Sequence, residues 1–167
     1  TSIRWDDAPD GPQVVHCSIP FAATGDSIEQ TWNTSGLRAT GSHTVRLTDV
    51  FVPDGAVSLV RPADAWHPIW NVVLGAAMPL IMAAYLGVAD AAVKAAIDAV
   101  DGRSDAHLDR LVGEMVNAHQ TAADVIDAMF AASGDLHFDN TDDHSGTTLT
   151  RKTVACGALL DTVRLAT

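Results

Sequence analysis

The chain has 167 residues, 47% of them apolar, and its 21 acidic and 10 basic side chains give a formal net charge of −11. That length suffices for one large domain or two small ones with a real core, and the apolar share excludes a disordered chain. A surface of this sign repels a phosphate backbone, which argues against nucleic-acid binding.

The opening run Thr1-Ser2-Ile3-Arg4-Trp5-Asp6-Asp7 has none of the apolar character of a secretory signal, and it starts without methionine, as though inside a longer chain. Val14, Val15, His16, Cys17, Ser18 and Ile19, between Pro12 and Pro20, predict a strand. Cys17 and Cys156 stand far apart and in no metal-like spacing. Two free thiols in a reducing cytoplasm are the simple expectation, with a bridge left open. Val45-Arg46-Leu47-Thr48 alternates with period two. Val50-Phe51-Val52 resumes before Pro53 out of phase, so a bulge is expected near Asp49. Gly36 and Gly41 bracket the turn that feeds this ribbon.

Composition changes near residue 57, from short alternating runs to alanine-rich helical spacing. Residues 69–89 carry no charge, which reaches the length of a membrane span. Asn71, Pro79 and the many alanines and glycines lower its hydropathy, and no cluster of Lys or Arg flanks it, so a buried bundle helix is the expectation. Pro79 suits a first helical turn. This predicts a short helix at about 67–76 and a long one at about 79–101, stopped by Gly102. Ala83, Ala84, Gly87, Ala91 and Ala95 form a small-residue stripe that would let a neighbouring helix approach. A second helix is expected at about 104–132, with Ser104 as cap and Ser133-Gly134 as its end. A third at about 147–166 follows a polar link. Three such helices leave apolar area uncovered, and the bundle wants a fourth.

The stretch SGLRATGSHTVRLTDVFVP, followed by PLIMAAYLGVADAAV, resembles the acyl-CoA dehydrogenase superfamily. Its first part resembles a turn and strand closing that family's middle β-domain. Leu86-Gly87-Val88-Ala89 resembles the signature of the first long helix of its C-terminal four-helix domain, and Gly113-Glu114-Met115 a signature on the next. The resemblance implies an α+β chain: part of an antiparallel β-barrel over 1–57, a partial middle domain, then three helices of an up-down four-helix bundle over 58–167. It also implies an FAD-dependent oxidoreductase, a homo-oligomer oxidising the CH–CH bond of an acyl thioester; the cytoplasmic expectation rests on the cysteines. That chemistry needs a base and a flavin. The base is not locatable in this chain, and such a fragment alone would be inactive.

By the same resemblance, Arg103 falls where many members hold an arginine on the pyrophosphate of a flavin, a task suited to its planar fork. Arg38, Thr40 and Ser42 form a polar turn that either faces the flavin and substrate or is held together by local bonds. Met78 stands where many members have an arginine beside the flavin, and methionine supplies neither charge nor donors. This departure favours an alternative, a flavin-dependent monooxygenase on the same scaffold acting on an aromatic or sulfur compound, with FMN as a possible flavin. A non-catalytic assembly module is the third reading. Trp32 is expected to be a packing residue, and His119 either an acid–base group or a satisfied helix residue. Residues 135–144 gather histidines and aspartates in a spacing that fits no metal site.

Overall fold

The structure, a computed structural model, describes residues 1–21, 23–103, 105–137 and 140–167. It divides into two compact units, Thr1–Ala65 and Trp66–Thr167.

Among the described residues the first unit holds five short strands: β1 (Ser2–Trp5), β2 (Gln13–Cys17), β3 (Asp26–Glu29), β4 (Thr44–Leu47) and β5 (Val57–Pro62). They form two antiparallel sheets, one ordered β1-β2-β5 and the other β3-β4. In the larger sheet Ile3, Val15 and Val60 are aligned, while Arg4, Val14 and Arg61 form the next row. Side chains alternate faces along a strand, so Ile3, Trp5, Val15, Cys17 and Val60 share one side, and Arg4, His16 and Arg61 the other. The register shifts between His16 and Cys17, so that Cys17 faces Val57. At Gly25 the chain has φ +93° and approaches Thr48 so closely that a Cβ there would lie 2.0 Å from the Thr48 carbonyl oxygen. Only glycine fits, and the approach lets Thr48 N–H donate to Gly25 O at 2.9 Å.

The expected barrel is not present. Among the described residues the sheets have three and two strands with open edges, and neither closes on itself. The physical reason lies at Asp49 and Pro53. Asp49 takes φ 54° and Val50-Phe51-Val52 joins no ladder, so the ribbon predicted to run to residue 52 stops at Leu47. The chain returns to the sheet only at β5, beyond a 3-10 turn at Asp54–Ala56.

Among the described residues the second unit holds three α-helices: α1 (Ile69–Val100), α2 (Ala106–Ser133) and α3 (Asp142–Leu165). The break expected before Pro79 does not occur. Pro79 sits inside α1, and it and Gly75 one turn earlier are both buried. The missing Pro79 N–H leaves the Gly75 carbonyl without its helical donor, and packing of this face outweighs that loss. α2 starts at an Asp105 cap whose carboxylate accepts from His107 N at 2.8 Å and Leu108 N at 3.4 Å. The cap expected at Ser104 lies outside the described residues. Gly134, at φ 51°, ends α2 with its N–H on Ala131 O. α3 begins five residues before the predicted start because Thr141 Oγ1 accepts from His144 N at 3.2 Å and two aspartates occupy the first turn.

Asn71 meets Ser145 near the starts of α1 and α3, and Asp90 of α1 meets His119 of α2, which gives an up-down-up order. The core is Met82, Ala89, Ala122, Ile126, Met129, Ala155 and Leu159, with Met78 and Leu86 packed against it. The small-residue stripe does not make the helix contact. Ala84, Gly87, Ala91 and Ala95 are exposed, and a Cβ on Gly87 would meet nothing within 4 Å. α1 is apolar nearly all round, so spacing alone did not show which face turns inward. It is also long and apolar enough to cross a membrane; here one face is taken by α2 and α3.

Candidate functional site

Among the described residues of the first unit, two of the features that could hold a small molecule bear on the residues singled out above or on a larger groove. One is a groove of about 590 Å³ on the apolar side of the larger sheet, lined by Ile3, Trp5, Val15, Cys17, Val57 and Val60, with Arg4 and Asp54 also at its wall. It falls in the range of about 300–1,000 Å³ typical of small-molecule pockets, and an aromatic ring system suits walls of this kind. Arg4 is fixed by a two-pronged bond to Asp64, at 2.8 and 2.9 Å, and by Asp6 at 2.7 Å. The Arg4 bond holds the Asp64 carboxyl below the usual range and raises the guanidinium's own pKa further.

The other feature is the loop between β3 and β4. Arg38 and Thr40 bound a 3-10 turn that starts after Leu37 in the left-handed conformation (φ 53°) and ends at Gly41 (φ 56°). Thr40 Oγ1 donates to Leu37 O at 2.8 Å and lies 3.3 Å from Ser42 Oγ, while Arg38 Nε donates to Thr34 O at 3.0 Å. The local bonding expected of these residues is therefore present. All three remain exposed, and among the described residues the guanidinium is bonded only through Nε. The Thr40 proton is taken by Leu37 O, so one guanidinium edge and the Ser42 hydroxyl are the side-chain donors this turn can offer a phosphate. The structure brings Arg38, Thr40 and Ser42 together in this unit.

Arg103 belongs to the second unit, exposed in the turn between α1 and α2, with its backbone N–H on Val100 O at 3.0 Å. Asp105 beside it is held below the ordinary carboxylate range mainly by the His107 N–H, then by Leu108 N–H, with a small contribution from Arg103. Met78 packs against the core, which accounts for an apolar residue at that position. Trp32 is half-buried, with its indole N–H on Leu37 O at 3.1 Å.

Other polar groups serve as ties. Arg61 Nε donates to His16 Nε2 at 3.0 Å, so His16 Nδ1, 3.0 Å from Ser2 Oγ, carries the ring proton and donates to the hydroxyl. That tautomer cannot take the proton of Ser2, and the pair is no nucleophile–base dyad. His119 Nε2 lies 2.6 Å from Asp90 Oδ1 and joins α2 to α1. Residues 135–144 are split between the end of a 3-10 turn and the first turn of α3, with Phe138 and Asp139 outside the described residues.

Sequence reasoning missed the groove. Its signal was the alternation Ser2-Ile3-Arg4-Trp5, which puts Ile3 and Trp5 on one face, but four residues beside charged neighbours are too few for a periodicity argument.

No family model matches the chain, and no curated protein sequence matches it. Solved structures do. The crystal structure of KijD3 in complex with FMN and dTDP-3-amino-2,3,6-trideoxy-4-keto-3-methyl-D-glucose is similar with a TM-score of 0.72 and 24% identity, covering 99% of this chain and 41% of that one. KijD3 in complex with dTDP is similar with a TM-score of 0.67 and 25% identity, over 99% and 42% of the two chains. The chain thus has the fold of part of KijD3 and spans about two fifths of its length.

These findings correct the resemblance to acyl-CoA dehydrogenases: the two solved structures named above are of KijD3, in one case captured with FMN, and FAD is not supported. The motifs that carried the resemblance are short. Leu86-Gly87-Val88-Ala89 is ordinary content for an alanine-rich helix, and in the Gly36–Gly41 segment the left-handed position of Gly41 accounts for one of its glycines as turn content.

Proposed function

We propose that this chain is part of a flavin-dependent oxidoreductase that uses FMN and acts on a small molecule of the nucleotide-linked sugar class. The observation that carries the reading is the likeness over 99% of the chain to a protein captured with FMN and a dTDP-linked amino keto sugar. The residues present suit the ligand. Arg38, with the Ser42 hydroxyl and with Thr40 holding the turn through Leu37 O, would take the FMN phosphate, which needs charge and several donors in one place. The groove bounded by Trp5, Ile3 and Val60 would take a flat ring against apolar walls. Bound FMN supplies the redox chemistry, accepting and returning a hydride or single electrons. This chain's part is to grip the phosphate, orient the ring and keep water from it.

Titration of the full chain with FMN and with FAD, followed by flavin fluorescence, tests this. FMN should bind more tightly than FAD, and dTDP should perturb the spectrum of the bound flavin. A chain that binds neither flavin sinks the reading. Tight FMN binding left unchanged by Arg38→Gln sinks the phosphate assignment while sparing the cofactor.

A further inference from the structure

Residues 30–43 leave β3 and return to β4 through a neck closed by side chains. Thr31 Oγ1 lies 2.9 Å from Thr44 Oγ1 and accepts from Thr44 N–H at 2.9 Å. Just inside it the Trp32 backbone N–H donates to His43 Nδ1 at 3.1 Å, and His43 N–H donates to Gly41 O at 2.6 Å. The Trp32 indole N–H then donates to Leu37 O, the same oxygen that accepts the Thr40 hydroxyl. A continuous chain of bonds thus runs from His43 through Trp32 to the left-handed Leu37 and on to Thr40 and Ser42. Leucine does not favour that backbone region by itself, so the conformation depends on what is bonded to it.

We propose that His43 is the positioning residue of this turn: by accepting the Trp32 N–H through Nδ1 it seats the indole that, with the Thr40 hydroxyl, holds Leu37, and so presents Arg38 and Ser42 as one donor set. The inference rests on the flavin reading for its ligand, though the geometry it describes is independent of it. His43 touches no ligand in this scheme; it acts through Trp32.

The test uses the full chain with FMN as the probe. His43→Ala removes the acceptor. His43→Asn replaces it, because the Asn carbonyl oxygen stands close to where Nδ1 stands. The alanine variant should weaken FMN about tenfold, as loss of one well-made bond implies, and the asparagine variant should restore it. Amide exchange at Trp32 should quicken in the alanine variant and return to the wild-type rate in the asparagine one. Unchanged FMN affinity in His43→Ala, or an asparagine variant as weak as the alanine one, overturns the proposal. A wild-type chain that binds no FMN overturns the flavin reading instead; Trp32 exchange then decides on His43, and an unchanged rate in the alanine variant refutes it. Should His43→Ala fail to fold, His43→Gln, whose carbonyl is displaced by one methylene, serves as the misplaced acceptor.

Discussion

Ser145 donates its hydroxyl to Asn71 Oδ1 at 2.6 Å, and both residues are buried. The same oxygen accepts the Trp66 indole N–H at 3.2 Å, and the Asn71 amide donates to Asp142 Oδ1 at 3.0 Å. One side chain thus fastens the start of α1 to the start of α3 with every polar atom used. Replacing Asn71 with Leu leaves a buried hydroxyl and an indole N–H without their partner, and should cost about 2–4 kcal/mol, measured by chemical denaturation. Ser145→Ala removes one donor only and should cost about 1 kcal/mol. Equal losses in the two variants would show that the network is not centred on Asn71.

The two glycines Gly25 and Gly87 should respond in opposite ways. Gly25→Ala places a methyl 2.0 Å from the Thr48 carbonyl at a positive φ, so the β3–β4 ribbon must distort, at about 3 kcal/mol or more. Gly87→Ala adds a methyl to an exposed helical site with open space and should stabilise by about 0.5–1 kcal/mol. Thermal melts of the two variants check the contrast, and a destabilised Gly87→Ala would mean that another surface covers that face of α1.

Core truncation gives a third prediction. Met82 is 1% exposed and touches the centre of the bundle, so Met82→Ala should cost about 2–5 kcal/mol. Leu80 is exposed, and Leu80→Ala should stay within about 0.5 kcal/mol of wild type.

Acid should loosen the start of α2. The Asp105 carboxyl is held below its ordinary value by the His107 and Leu108 N–H groups, so its contribution is complete above the unfolded carboxylate pKa, near 4, and is lost as pH falls through the lower folded value. Asp64, lowered by Arg4, has the same sign and window. A carboxyl NMR titration should place both midpoints below that of a free aspartate. Asp105→Asn, which still caps, should flatten the acid limb of helix stability. An Asp105 midpoint at or above the free value contradicts the capping geometry.

That strands precede helices was legible in the composition, although β5 at Val57–Pro62 lies beyond the shift read near residue 57; the C-terminal end of α2 was legible too, because Gly134 and the long period from Leu108 to Phe130 leave little choice. The unbroken α1 was not legible: Pro79 argues for a break, and only the packing of Gly75 and Pro79 on one face overrides it. Arg38, Thr40 and Ser42 were legible as a turn because glycine and hydroxyl residues mark one. The grooved face of the larger sheet was not, since it assembles three strands separated by long intervals, and pairings of that kind leave little trace in local sequence. The family resemblance failed for the opposite reason: short apolar and glycine-containing strings recur wherever a helix or turn of the same kind is needed.

Burial is shared unevenly between the halves. Among the described residues, Ala8 and Cys17 are the buried apolar residues of the strand-bearing unit, whereas the helices own a contiguous core. Thermal opening should therefore begin in the ribbons while the rods stay wound, and a protease presented with the native chain should nick the first sixty-five positions long before it reaches the rest.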